Sequence, residues 1–318
     1  MKPKALLTRK LLPEAMDYLS RHVEYEIAGS GAQIDKKAIL AGIKGKEGLL
    51  SLLTETIDRE IMDAAPLRII ANCAVGYNNI DVEYAHSRGI MVTNTPGVLT
   101  ETTADLTWAL ILAAARLIPQ ADRYMRQGRY EGWGLDLFLG LEVTGKCLGI
   151  IGMGRIGKAV AERARAFGMK TVYTDPHRLP EKEEAGLNAR RLPLDDLLRT
   201  ADIITLHTSL NEETLHLIGE EQLGMMKSTA LLINVSRGPV VDEKALAEAL
   251  AGKRIWGAGL DVYEREPDME EGLAGLDNVV LLPHIGSATL ETRLKMSMMA
   301  AENLVAGLLG EKPPNLIF

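Results

Sequence analysis

Cysteine is scarce. Cys73 and Cys147 are the only two in 318 residues, and both lie in strongly apolar segments, where a cysteine is usually a small buried hydrophobe. A disulfide framework is therefore excluded, and a reducing cytosol is the default compartment. Positive charge is not in excess either. The formal net charge of -7 argues against a general affinity for nucleic acid or an anionic membrane surface, both of which need a basic footprint. No apolar run is long enough to span a bilayer; the most apolar stretch, Leu106 to Ile118, is too short and carries Arg116, so it predicts a buried helix. Met1 to Leu12 holds lysines but no long apolar core before a small-residue cleavage site, and so does not read as a signal peptide. Metal-ligand spacings such as His-Glu-x-x-His or paired Cys-x-x-Cys are missing, as is the G-x-S-x-G nucleophile turn. There is no repeat of fixed period and no low-complexity tract. A soluble, cytoplasmic protein that needs no metal is expected.

What is present is an ordinary globular composition, 47% hydrophobic and 25% charged, on a chain long enough to predict two domains. From Lys4 to about Thr95 short apolar runs alternate with amphipathic segments: Ala5-Leu6-Leu7, Tyr25-Glu26-Ile27, Leu49 to Leu53, Ile69-Ile70-Ala71 and Ile90-Met91-Val92. Such runs predict parallel strands buried on both faces, hence a small α/β domain. Thr95-Pro96-Gly97 then punctuates the chain, and Glu101 to Leu117 reads as a buried helix that Pro119 ends or kinks. A second α/β unit starts at Lys146, with strands expected at Cys147 to Ile151, Thr171 to Thr174, Ile203 to Leu206, Leu231 to Val235, Gly257 to Val262 and Val279 to Leu282. This is the pattern of a doubly wound parallel sheet of Rossmann type. The segment Thr289 to Gly310 has helical apolar spacing and could pack back on the first domain. The expected fold class is α/β, with a Rossmann-type domain over 99–288 and a smaller, discontinuous substrate-binding lid domain over 1–98 and 289–318.

Gly152-Met153-Gly154-Arg155-Ile156-Gly157 is a G-x-G-x-x-G turn set between an apolar strand and a helix, with Asp175 directly after the next strand. Gly152 permits the tight turn, Gly154 lets the backbone approach a pyrophosphate and Gly157 allows close helix-to-strand packing. The N–H groups at Arg155 and Ile156 open a helix whose positive end suits phosphate. Asp175 would accept from ribose hydroxyls and repel a 2′-phosphate, which favours NAD over NADP; alternatively it only starts the Asp175-Pro176 turn, and His177 and Arg178 could hold a phosphate.

Arg237, Glu266 and His284 each follow an expected strand of that sheet, at the edge where ligands bind in open α/β folds. With the net charge negative, Arg237 is the local cation that could meet a carboxylate in bidentate fashion; a loop-capping arginine is the plainer reading. His284 is singled out from His22, His86, His177, His207 and His216 because a carboxylate lies nearby in the chain's logic. An acidic neighbour favours imidazolium and fixes the ring, but Glu264 and Glu266 are both available in Glu264-Arg265-Glu266-Pro267. An arginine, an acid-held histidine and a dinucleotide turn together read as a dehydrogenase.

These segments resemble the D-isomer-specific 2-hydroxyacid dehydrogenases, and among them the glyoxylate/hydroxypyruvate reductases. The likeness rests on Val75-Gly76-Tyr77-Asn78-Asn79-Ile80-Asp81, Asn94-Thr95-Pro96-Gly97, the glycine turn, Asn234 to Gly238, Gly259-Leu260-Asp261-Val262, Glu266-Pro267 and Pro283 to Thr289, and it covers nearly the whole chain. The resemblance implies a flavodoxin-like lid and the NAD(P)H-dependent reduction of a small 2-keto acid, glyoxylate or hydroxypyruvate, to glycolate or D-glycerate. It implies that Arg237 binds the keto acid, that His284 is the acid/base and that Glu266 is its partner. Leu53 and the backbone of Val75 and Gly76 would touch the substrate, with Ser287 near it. Asp261 would meet the nicotinamide amide, and Thr103 and Val235 would also line the cofactor. Homodimers are implied, with an interface that includes the segment before the glycine turn, so Trp133 would approach a partner's active site or simply fill the interface. The chain departs from the common pattern at Ser209, where many members have proline, and at Asp175, an acidic residue that many glyoxylate/hydroxypyruvate reductases lack while using NADP. Two alternatives follow from the same resemblance: a 3-phosphoglycerate dehydrogenase or other hydroxyacid enzyme, for which Lys46, Arg59 and Arg68 are the available lid cations, and a dinucleotide-sensing scaffold like the C-terminal-binding corepressors, which usually carry extra tails.

Overall fold

The computed structural model describes residues 2–31 and 34–317, so the outer domain bounds expected at 1 and 318 lie outside the described residues. The chain divides into two compact units, residues 1–99 with 287–318 and residues 100–286. In the first, strands β1 (Lys4–Leu7), β2 (Glu24–Ile27), β3 (Gly48–Ser51), β4 (Ile69–Asn72) and β5 (Met91–Thr93) form a sheet of order β2-β1-β3-β4-β5. Every pairing in it is parallel. The order is that of a flavodoxin-like sheet, whose direction of winding reverses between β1 and β3.

The C-terminal helix Leu290–Leu309 belongs to this unit, where Met296, Ala300, Ala301, Leu304 and Leu308 share a core with Ala5, Leu7, Leu50 and Ile69. Its start is capped by Thr289 and its end by Gly310 in the left-handed region, so both termini are written locally. Close approach of helix and sheet depends on missing side chains. A Cβ at Gly48 would sit 2.9 Å from Leu304 Cδ1, and one at Gly307 would collide with Ile69.

The second unit carries β6 (Cys147–Ile151), β7 (Lys170–Thr174), β8 (Ala189–Arg191), β9 (Ile203–Leu206), β10 (Leu231–Asn234), β11 (Gly257–Leu260) and β12 (Val279–Leu281) in the order β12-β11-β10-β9-β6-β7-β8. All pairings are again parallel. Apolar clusters cover both faces: Leu148, Ile150, Ile233 and the helix Thr100–Ala115 on one, Ile151, Ile204, Leu206, Leu232 and Leu260 on the other. Each such Leu or Ile contributes about 1.5–3 kcal/mol on burial, which is why these strands read as unbroken apolar runs. The winding reverses between β6 and β9, and this places a ligand crevice at their carboxyl ends.

Three local departures from the expected elements have physical causes. The run Leu49 to Leu53 stops pairing at Ser51, because the Leu52 N–H turns to the Glu55 carboxylate at 2.8 Å instead of a neighbouring strand. The helix at Glu101 breaks at Leu117, which adopts φ 54°, and a new helix Ile118–Arg126 begins with Pro119 in its first turn. The edge strand β8, Ala-Arg-Arg, has no apolar alternation to announce it.

Candidate active site

The carboxyl ends of β10, β11 and β12, adjacent in the sheet, bring Arg237, Glu266 and His284 together. After β10, the buried Asn234 folds the chain: its Oδ1 accepts from Ser236 N at 3.0 Å and Ser236 Oγ at 2.8 Å, and its Nδ2 donates to the Arg237 carbonyl at 2.9 Å. Gly238 must be glycine, since a Cβ there would overlap the Tyr263 carbonyl. The Arg237 guanidinium is thus held, with Nη1 donating to Ser236 O at 2.7 Å. Burial draws its pKa down while the Glu266 charge opposes that, the electrostatics of a cation kept beside an acid.

Glu266 Oε2 lies 2.9 Å from His284 Nδ1, and its other oxygen accepts the Tyr263 N–H at 3.1 Å. Glu264 is committed elsewhere, 3.1 Å from His216 Nε2, so the geometry selects between the two acids that the sequence left open. Burial by itself would raise the Glu266 carboxyl; the hydrogen bond and charge of His284, the Tyr263 N–H and Arg237 outweigh it and hold the acid below its ordinary range. With Nδ1 engaged, Nε2 of His284 is the ring atom left for other chemistry.

His284 itself adopts φ 54°, a left-handed conformation that costs a non-glycine residue roughly 1–2 kcal/mol. Asp261 keeps it there. Both carboxylate oxygens accept at 2.7 Å from the next two N–H groups, Ile285 and Gly286, while Thr103 Oγ1 donates to the Gly286 carbonyl at 3.1 Å. Asp261 is almost fully buried, and burial raises its pKa against the pull of the Ile285 N–H, the His284 charge and the Gly286 N–H. Asp261 and Thr103, expected beside the cofactor, are thus seen clamping the loop of the histidine. Ser287 follows that loop and is partly buried.

The glycine turn joins β6 to the helix Arg155–Ala164. Gly152 has φ 93° and a Cβ there would be 2.7 Å from the His207 carbonyl; a Cβ at Gly157 would overlap the Gly152 carbonyl oxygen; Gly154 faces open space. The helix start has no side-chain cap, and the N–H groups of Gly154, Arg155 and Ile156 find no acceptor among the described residues. An open, uncapped N-terminus over a bare glycine is what a pyrophosphate requires, so the residues fit a dinucleotide. Val235 is buried at the end of β10. Asp175 Oδ2 accepts from Met153 N and Oδ1 from His177 N, both at 2.8 Å, which fixes the carboxylate at the end of β7 and still leaves lone pairs for hydroxyl donors. Beyond it, Thr174, Arg178, Arg190 and Arg191 line a cavity of about 520 Å³.

Leu53, Val75 and Gly76 lie in the other unit, in the loops after β3 and β4, and their N–H groups donate to nothing among the described residues. Sequence reasoning passed over Asn234 and the clamping role of Asp261; the only signal was an Asn or Asp poised to bond backbone two residues on or across strands. His207 was read as structural. Its ring nitrogens are buried without a hydrogen-bond partner among the described residues, and burial lowers its pKa to about 3.

The model of the family described as D-isomer specific 2-hydroxyacid dehydrogenase, NAD binding domain, matches residues 108–286. A glyoxylate reductase of Korarchaeum cryptofilum is 51% identical over 320 residues, covering 100% of this chain and 96% of that protein. The chain belongs to the D-isomer-specific 2-hydroxyacid dehydrogenases. Among solved structures, a glyoxylate reductase from Paecilomyes thermophila is similar at TM-score 0.88 and 33% identity, with 99% of this chain and 98% of that one covered. An NADPH-dependent glyoxylate/hydroxypyruvate reductase from Sinorhizobium meliloti, in complex with NADP and malonate, is similar at TM-score 0.87 and 35% identity, with 100% and 97% covered. As a family member this chain is an oxidoreductase with a nicotinamide dinucleotide domain. No helix among the described residues is long and apolar enough to cross a membrane.

Proposed function

We propose that this dehydrogenase reduces glyoxylate, and hydroxypyruvate as a second substrate, with NADH as the preferred cofactor. The observation that carries the reading is the 2.9 Å pair of His284 Nδ1 and Glu266 beside the partly buried Arg237, on the sheet that also carries the glycine turn. The relatives named above, which are glyoxylate reductases, support the substrate. A bound nicotinamide supplies the hydride that reaches the keto carbon. Arg237 holds the substrate's carboxylate and carbonyl oxygen, and the N–H groups of Leu53, Val75 and Gly76 are further donors for a carboxylate, with Ser287 a further substrate residue. As the carbon–oxygen double bond gives up its electron pair to oxygen, His284 Nε2 delivers a proton to that oxygen, and Glu266 stabilises the imidazolium before transfer and keeps the ring aimed. Gly154, Arg155 and Ile156 hold the pyrophosphate, with Thr103, Val235 and Asp261 lining the same cofactor.

Asp175 favours NADH because its carboxylate, pinned by two N–H groups, would meet a 2′-phosphate as a like charge. The arginine-lined cavity favours the second reading, NADPH, but Arg178 is paired with Glu184 at 2.9 Å and Arg191 is spent on the Asp175 carbonyl at 2.8 Å. The test is absorbance at 340 nm with glyoxylate, hydroxypyruvate, pyruvate and phosphohydroxypyruvate, each with NADH and NADPH. Glyoxylate with NADH is expected to give the highest kcat/KM. Phosphohydroxypyruvate as the best substrate would replace this reading with the phosphoglycerate one, absence of turnover on all four would favour a sensing role, and a preference for NADPH would overturn the cofactor half alone.

The reading includes a homodimer. Trp133 is 81% exposed and Leu135 80%, a patch of large apolar side chains before the glycine turn that water alone covers poorly. Light scattering is expected to give twice the mass of one chain, and Trp133→Glu with Leu135→Glu to halve it; a monomeric parent protein would remove this part of the reading.

A further inference from the structure

The smaller sheet has its own point of reversed winding, between β1 and β3, and the residues just past those two strands are Thr8 and Arg9 on one side and Leu52 to Glu55 on the other. Glu55 is 3% exposed, unusual for a carboxylate, and its side chain is held by polar partners inside this crevice. Oε2 accepts from Leu52 N at 2.8 Å and Thr8 Oγ1 at 2.9 Å, while Oε1 accepts from Thr54 Oγ1 at 2.6 Å and lies 3.2 Å from Arg9 Nη2. The acid therefore ties the end of β1 to the turn that contains Leu53.

A second tie runs to the next loop. Asn79 Nδ2 donates to the carbonyls of Leu52 and Glu55, both at 3.0 Å, and Asn72, at the end of β4, donates from Nδ2 to the Gly76 carbonyl at 2.9 Å. Asn94 donates to the Val75 carbonyl at 2.8 Å from the far side. In these two loops the carbonyls of Leu52, Glu55, Val75 and Gly76 are taken up by side-chain amides, while the N–H groups of Leu53, Val75 and Gly76 are left without acceptors among the described residues. An arrangement that fills these four carbonyls and frees three N–H groups favours the complement of an anion.

We propose that Glu55 is a positioning residue for substrate: by holding the Leu52 N–H its carboxylate sets the Leu53 turn, whose backbone carbonyls at Leu52 and Glu55 anchor Asn79 and, through Asn72, the Val75–Gly76 loop, in the one arrangement that presents their free N–H groups to a carboxylate. This rests on the keto acid reading above. Glu55 touches no substrate itself. Removing it lets the Leu53 turn relax toward water, and a hydrogen bond to a charged group is worth roughly tenfold to a hundredfold in affinity.

The experiment compares the parent protein with Glu55→Ala, Glu55→Gln and Asn79→Ala. In Glu55→Ala the KM for glyoxylate is expected to rise at least about tenfold, and the Kd of oxalate, a non-reacting carboxylate probe measured by calorimetry on the NADH-loaded protein, to weaken in parallel. The Kd of NADH is expected to stay within about twofold, since the glycine turn is in the other unit. Glu55→Gln keeps an acceptor for Leu52 N–H and is expected to restore most of the KM. A purely structural role would lower Tm or the active fraction, hence kcat, with KM and the oxalate Kd unchanged, and that outcome overturns the proposal. Should Glu55→Ala fail to fold, Asn79→Ala reads the same point, and an unchanged KM and oxalate Kd there overturn it equally. If the parent protein reduces a different 2-keto acid, the glyoxylate reading fails in that assay alone, and the KM ratio on the acid it does reduce still judges Glu55.

Discussion

His284→Ala is expected to lower kcat for keto acid reduction by at least about 100-fold while NADH binding persists. The first half follows from geometry. Nδ1 is committed to Glu266 at 2.9 Å, so Nε2 is the atom that can hand a proton to the oxygen formed as hydride arrives, and alanine offers no substitute. The second half follows from the sheet order: the glycine turn follows β6, whereas His284 follows β12 at the sheet edge, and the N–H groups that would hold a pyrophosphate share no hydrogen bond with the His284 loop. Stopped-flow turnover and a fluorescence titration with NADH separate the two. Turnover like that of the parent protein in the alanine variant would remove His284 from the reaction, and loss of NADH binding would show that the substitution acts through the fold instead.

Much of this placement was legible because parallel strands buried on both faces are apolar without interruption, and a ligand-bearing residue interrupts such a run just where the strand ends. Arg237 and His284 announce themselves in that way just past β10 and β12, while Glu266 lies further along the loop after β11. The bounds of the C-terminal helix were equally open to reading, since Thr289 and Gly310 are an ordinary cap and stop. What was not legible depends on contacts between residues distant in the chain. Nothing local says that Glu264 turns to His216 while Glu266 turns to His284, because the two acids differ only in which way the chain has rotated between them. Asp261 reads as a cofactor neighbour, and nothing local says that its two oxygens also accept the N–H groups of Ile285 and Gly286. The strand run through Leu53 was too long for a similar reason. The Glu55 carboxylate captures the Leu52 N–H, and no pattern of hydrophobicity records a side chain competing for a ladder hydrogen bond. Arg190 and Arg191 hid β8 because an exposed edge strand of three residues needs no apolar face.

The second large effect is on stability in mild acid, and its source is His207. His207 follows β9 with its backbone carbonyl against the Gly152 turn, and both ring nitrogens are buried with no hydrogen-bond partner among the described residues, so burial lowers its pKa from 6.5 to about 3. The unfolded chain takes up a proton near pH 6.5 that the folded chain refuses until about pH 3. Over that window the unfolded state binds more protons, so stability is fully present above about pH 6.5 and falls as the pH is lowered toward 3. The total is on the order of 5 kcal/mol, of which about 2 kcal/mol is lost between pH 7 and pH 5, against a typical domain stability of roughly 5–15 kcal/mol. The acids held below their ordinary range, Asp202 and Glu266 among them, add their own losses only nearer pH 4, while Asp261 and Glu243, raised by burial, act with the opposite sign; all of these are common to the parent protein and a His207 variant and cancel in their comparison. Urea unfolding of the parent protein and of His207→Leu at pH 7 and pH 5 isolates the effect. Leucine removes the titrating ring at similar volume, so the variant is expected to keep about 2 kcal/mol that the parent protein loses on acidification. An equal loss in both would mean that the buried ring finds a partner or a water path that lets it charge within the fold.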